Sequence, residues 1–114
     1  MINRTSLSAY QLRVMRQPPA KTVYQRILKP FPSVMLVGGN TDAITPNLFV
    51  EVTLLRADSE AELPACIEGT KIVRISGVFA TFKKLKILST SQQQGTLFRL
   101  RFSLKRYVGH VFEQ

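Results

Sequence analysis

The chain has 114 residues, 45% of them hydrophobic, and carries 16 Lys and Arg against 7 Asp and Glu for a formal net charge of +9. That length suffices for one domain with a real core and no metal or disulfide staple. Composition excludes a membrane-spanning helix, which needs roughly 18 unbroken apolar residues, and any internal disulfide, because Cys66 is the only cysteine.

A lone cysteine suits a reducing compartment, and its simplest role is that of a small buried apolar side chain. The N-terminal segment MINRTSLSAY has no apolar centre of the kind a signal peptide requires. The positive excess favours a polyanion or an anionic surface as partner. Its distribution is uneven. Residues 1–41 hold six basic groups and no acid, residues 42–68 hold six acids and Arg56 alone, and residues 69–112 hold nine basic groups and no acid.

Residues 1–8 are expected to fray, with the folded domain over 9–107 and a short tail over 108–114. Residues 9–16 (AYQLRVMR) predict a first strand, stopped by Gln17-Pro18-Pro19, since proline cannot donate to a sheet ladder. Residues 22–28 (TVYQRIL) alternate, and Lys29-Pro30-Phe31-Pro32 ends them. Residues 33–37 (SVMLV) form an apolar run suited to a central strand, and Gly38-Gly39-Asn40 signals a turn. Residues 48–55 (LFVEVTLL) alternate as a strand, and the acidic stretch that follows is broken at Pro64 and Gly69 and is expected to be a loop. Residues 71–75 (KIVRI) predict another strand.

Residues 79–107 are the most informative stretch, with seven basic groups and no acid in two extended runs joined by a polar loop. In the first run, over 82–88, the alternation changes parity near Lys83-Lys84, a sign of a β-bulge. In the second, over 97–105, Phe98, Leu100, Phe102 and Leu104 share one face, while Arg99, Arg101, Ser103 and Lys105 share the other. One face requires a core and the other presents cations. About seven strands at this spacing, with no long helical pattern, predict an all-β antiparallel sandwich, with a small OB-type barrel as the competing architecture.

Catalytic signatures are missing. His110 is the only histidine, so with Cys66 the chain has too few N and S ligands for a zinc site and no material for a Ser-His-Asp or Cys-His arrangement. Gly38-Gly39 lacks the frame of a phosphate-binding loop. Asp58, Glu60, Glu62 and Glu68 crowd into one segment, where a solvated acidic loop is a simpler expectation than an acid–base pair or a cation site. Neither an enzyme, a metal nor a cofactor is expected.

Several motifs, in one co-linear order over about residues 14–107, resemble the immunoglobulin-fold transcription factors of the Rel, Runt and STAT groups, in the broader p53-like class. Arg16-Gln17-Pro18 followed by Val23-Tyr24-Gln25-Arg26 is similar to the Rel strand and recognition loop, and Phe31-Pro32-Ser33-Val34 to the start of the next Rel strand. Cys66-Ile67-Glu68-Gly69 falls in order, and FKKLKIL followed by a loop and TLFRLRFSL resembles the shared strand–loop–strand pattern. The resemblance implies an immunoglobulin-like sandwich of about seven strands that grips duplex DNA through loops at one end. It implies a nuclear regulator of transcription, acting as a homodimer or with another transcription-factor subunit, and the STAT-like CudA type of amoebae is the nearest match. It places Arg26 where Rel has a base-reading arginine and Lys86 where Runt has an arginine. The chain departs from the pattern in Tyr24-Gln25, in the absence of a recognition-loop cysteine near Lys29, and in the three glutamines of its inter-strand loop.

The residue chemistry points the same way. Lys and Arg neutralise phosphates and release counterions. Base selection needs Arg on guanine or Asn/Gln on adenine edges, which makes Arg26, Gln92, Gln93 and Gln94 candidate base contacts. Lys21, Tyr24, Lys29, Lys83, Lys84, Lys86, Lys105 and Arg106 are candidate backbone contacts that set register. Plainer roles stand beside these: the glutamines as a soluble hairpin loop, Lys83 and Lys84 as the exposed side of a bulge, and Arg99 and Arg101 as solubilising groups on the outer sheet face. Two other functions compete with duplex binding. A single-strand DNA or RNA-binding barrel needs exposed aromatics, for which only Tyr10, Tyr24 and Tyr107 are candidates. A protein-interaction sandwich would use its basic face on an acidic protein or lipid, although no membrane partner is expected.

Overall fold

The computed structural model describes residues 10–16, 26–38, 48–90, 93, 95, 97–108 and 111–113. They form an all-β fold with nine strands: β1 (Tyr10–Arg16), β2 (Ser33–Gly38), β3 (Leu48–Arg56), β4 (Ile67–Glu68), β5 (Ile72–Arg74), β6 (Phe79–Thr81), β7 (Lys86–Ile87), β8 (Phe98–Val108) and β9 (Val111–Glu113). A 3-10 turn spans Pro64–Cys66, with Pro64 in its first turn, where a missing N–H costs nothing.

All the strand pairings are antiparallel, in sheets of order β1-β2-β6, β5-β3-β8-β9 and β4-β7. The first two orders correspond to the A-B-E and C′-C-F-G sheets of an immunoglobulin-type sandwich. The two sheets share one core. Tyr10, Val34, Leu36 and Ala80 come from the first sheet, Leu48, Val50, Val52 and Leu54 from β3, and Ile67 and Ile87 from the small sheet. Leu28, Ile75, Phe82 and Leu85, in the connections, close that core.

β3 alternates buried Leu48, Val50, Val52 and Leu54 with half-buried Phe49, Glu51 and Thr53. Its partner β8 follows the expected parity: Leu104, Phe102 and Leu100 stand opposite Val50, Val52 and Leu54 and pack on the core, while Arg99 and Arg101 are exposed. Phe102 meets the fully buried Phe82 at a ring-centroid distance of 5.7 Å.

Four expectations are corrected. The two runs of residues 79–107 do not form one ribbon: β6 pairs with β2, β7 with β4, and β8 with β3 and β9. The parity change near Lys83-Lys84 is a break between two sheets rather than a bulge. Phe82 and Leu85 are both buried on either side of the exposed lysines, so the chain must turn out and back between β6 and β7. The expected tail contributes a strand, with β9 extending the larger sheet through Val108↔Val111, Tyr107↔Phe112 and Arg106↔Glu113. The acidic segment, finally, is more than a solvated loop. After a turn at residues 57–59 it runs back along β3 through Arg56 N–H to Ala61 C=O and Leu63 N–H to Leu54 C=O, both 2.9 Å.

Candidate nucleic-acid interface

The connections β1–β2, β3–β5 and β6–β8 leave the sandwich at one end, and short backbone pairings tie them together. Ile27 bridges Lys86, and Leu28 N–H donates to Leu85 C=O at 2.9 Å, so residues 26–29 lie antiparallel beside residues 84–87. On the other edge of β7, Ile67 pairs with Ile87 and Glu68 with Lys86. Leu28, Leu85, Ile67 and Ile87 are buried beneath this small sheet.

These pairings gather Arg26 and Lys29 from one connection with Lys83, Lys84 and Lys86 from another. Neighbouring antiparallel strands put facing residues about 5 Å apart, so this register sets Lys29 opposite Lys84 and Arg26 one position from the partner of Lys86, although the two segments lie more than fifty positions apart in sequence; Lys83 precedes them in the chain. Arg26, Lys29, Lys83 and Lys84 are exposed, whereas Lys86 is half-buried and faces Glu68. The path of the chain depends on Gly69. Its φ is +115°, and a β carbon there would collide with the carbonyl oxygen of Lys84.

Other cations are paired with carboxylates of the same chain. Arg56 clasps Asp58 through two contacts of 3.0 and 2.9 Å, raising the guanidinium pKa and lowering that of the carboxyl through this hydrogen-bonded pair. Arg99 Nη1 reaches Glu60 and Arg101 Nη2 reaches Glu62, each at 3.2 Å, and Lys105 Nζ reaches Glu51 at 3.7 Å. The acidic return thus meets Arg99 and Arg101 on the outer face of β8, which the sequence suggested as solubilising groups. In the sheet, Leu55 lies opposite Arg99 on one side and Glu62 on the other. Leu55, on the outer face of β3, is only 6% exposed between these two neighbours. Exposed ion pairs of this kind contribute about 0–1 kcal/mol each, so their main effect is on the surface potential.

The remaining candidates separate. Gln93 is tied down by a reciprocal pair: its amide oxygen accepts from Thr90 N–H at 3.0 Å, and its own N–H donates to Thr90 Oγ1 at 3.0 Å. Ser89 Oγ adds a 3.2 Å bond to the same oxygen. This is capping-box geometry, and it occupies the acceptor that a two-bond adenine contact needs. The Thr90-x-x-Gln93 spacing announces the box in the sequence. Lys105 points to Glu51 on the outer face of β8, and Arg106 stands opposite Leu48 near the end of β8; neither belongs to residues 26–29 or 83–86. Lys21, Tyr24, Gln92 and Gln94 lie outside the described residues, as do residues 1–8.

No group of His, Cys, Asp and Glu among the described residues has metal-binding geometry. No helix among them is long and apolar enough to cross a membrane. No family model matches the sequence, and no curated protein is detectably similar to it.

Proposed function

We propose that this chain is a double-stranded DNA-binding domain that grips the duplex through the basic end of its sandwich. The observation that carries the proposal is the pairing of residues 26–29 with residues 84–87, which brings the segment of Arg26 and Lys29 beside that of Lys84 and Lys86, with Lys83 next to it in the chain. Glu51, Asp58, Glu60 and Glu62 face cations elsewhere, so four carboxylates are partnered away from this cluster. Lys29, Lys83 and Lys84 are cast as phosphate contacts and Arg26 as the base-reading group. The kinship with Rel, Runt and STAT domains, nuclear action as a regulator of transcription, and pairing with a second copy or another transcription-factor subunit belong to the same proposal. They are supported by the ordered motifs and by a strand order that puts the basic connections at one end.

The test is selection from a random duplex library, followed by titration of the selected and a scrambled duplex at two salt concentrations. The proposal expects an enriched motif and a preference for it on the order of 10³ or more. Lys83→Ala with Lys84→Ala should weaken both duplexes equally and reduce the salt slope by about 0.9 per lost contact. Arg26→Ala should instead narrow the gap between selected and scrambled duplex. Weak binding, equal for every duplex and erased by salt, would reduce the cluster to generic charge and sink the proposal.

A further inference from the structure

β1 stands at one edge of the sheet β1-β2-β6. Leu36 N–H donates to Val78 C=O at 2.7 Å, so Val34 and Leu36 turn their polar groups toward β6. Met35 and Val37 then turn theirs toward β1, where Arg13 and Gln11 stand opposite them. In β1, therefore, Gln11 and Arg13 bond to β2, and Leu12 and Val14 present their N–H and C=O groups along the outer edge. No described residue bonds to Leu12 or Val14 along that edge. The register is regular from Tyr10 to Val14 and shifts only beyond it. Side chains beside the edge are uncovered as well. Val14 is 39% and Met15 48% exposed. Arg13 and Arg16 are exposed and form no ion pair with a described residue. The three strands of this sheet hold these two arginines and no acid, whereas Arg99 and Arg101 on the larger sheet are met by Glu60 and Glu62.

We infer that the outer edge of β1 docks an extended acidic segment of a partner protein, which adds to the sheet as a further strand. The site uses no residue of the basic cluster and is independent of duplex binding. In strand addition, main-chain bonds supply affinity and alternate side chains supply choice. Leu12 and Val14 share the inner face with buried Tyr10, and Leu12 packs against the core. Inward positions of an added strand would cover Leu12 and Val14, which calls for apolar residues. Its outward positions lie beside Arg13, with Arg16 further along, which calls for Asp or Glu. Opposite charges on neighbouring strands attract, and like charges repel. The same arginines oppose a second copy of the chain as occupant, because pairing β1 with its own equivalent brings arginines from both strands and an acid from neither. A nucleic acid offers phosphates to the arginines but no ladder of N–H and C=O groups for Leu12 and Val14.

The experiment selects binders of the full chain from a displayed library of random peptides about eight residues long, the length of one strand. The selected peptide is then titrated by fluorescence anisotropy. Enriched sequences should alternate Asp or Glu with apolar residues. Arg13→Glu with Arg16→Glu should weaken the peptide on the order of tenfold or more. Val14→Pro removes an edge N–H without removing a bond to β2, and should weaken it by a similar factor. N-methylation of alternate peptide amides leaves the protein untouched; it should abolish binding when it falls on the edge facing β1 and be tolerated on the other. Lys83→Ala with Lys84→Ala should leave peptide affinity unchanged within about twofold. A library that yields no acidic sequence, an affinity indifferent to the arginine changes, or equal tolerance of both methylation patterns would overturn the inference. A chain that dimerises in sedimentation and returns to monomer with Val14→Pro would assign the edge to a second copy and overturn it as well. Failure of the duplex selection described above would leave this site standing.

Discussion

At Gly69 the backbone adopts φ +115°, and any side chain would strike the Lys84 carbonyl. Gly69→Ala therefore combines backbone strain with a clash against main chain that has nowhere to go. A cost of at least about 2 kcal/mol is expected in denaturant unfolding, with a weaker grip on duplex as β4 lifts from β7. Unchanged stability would mean that the close approach is dispensable. Gln93 illustrates the opposite situation, a residue whose sequence context allowed two roles. As one of three glutamines in a polar loop it has the chemistry of a base reader, but its oxygen is committed to Thr90 and Ser89. Residue type suggested a base reader or a soluble loop, and only local geometry showed the bond to Thr90.

Among the elements, β8 and the acidic return depend on each other. The alternation of Phe98, Leu100, Phe102 and Leu104 with Arg99, Arg101, Ser103 and Lys105 is plain in the sequence, because a half-buried strand must repeat every two residues. What the cations face is not visible there, since Glu60 and Glu62 lie 39 positions away from Arg99 and Arg101. Glu60, with φ +58°, takes a left-handed conformation uncommon outside glycine at the turn that delivers it to Arg99. Changing Glu60 and Glu62 to Gln should raise affinity for any polyanion and steepen the salt slope by up to about two phosphate equivalents. Stability should fall by less than about 2 kcal/mol, as befits two exposed pairs. Heparin or duplex titrations check the first expectation and thermal melts the second; unaltered salt dependence would show that the carboxylates do not mask these arginines.

For the molecule as a whole, one core serves all three sheets. Phe82 is fully buried in the connection between β6 and β7 and touches Phe102 of the other sheet. Phe82→Ala should cost about 3–5 kcal/mol, a large share of the 5–15 kcal/mol typical of a domain. Circular dichroism and tyrosine emission should still report a single coincident transition, because the sheets have no separate cores to melt separately. Two resolved transitions would show that the small sheet folds on its own. The same connectivity explains the error over residues 79–107. Adjacent runs separated by a polar loop suggest a hairpin, but a sandwich sends the chain across to its opposite sheet, and β6 and β8 lie on different layers.

The sequence by itself determined the all-β class, the positions of β1, β2, β3, β5 and β8 and the inward face of β8, because periodicity and turn residues act over short stretches of chain. It also marked the basic character and most of the cations now found in the cluster. Tertiary structure alone decided which of them lie near one another. The segment of Arg26 and Lys29 lies beside that of Lys84 and Lys86 only because Ile27 pairs with Lys86, and Arg99, Arg101 and Lys105 are partnered only because carboxylates from elsewhere in the chain meet them. Charge along a chain is a local property. The field it produces depends on distances between residues far apart in sequence, and these exist only once the sheets have closed on their core.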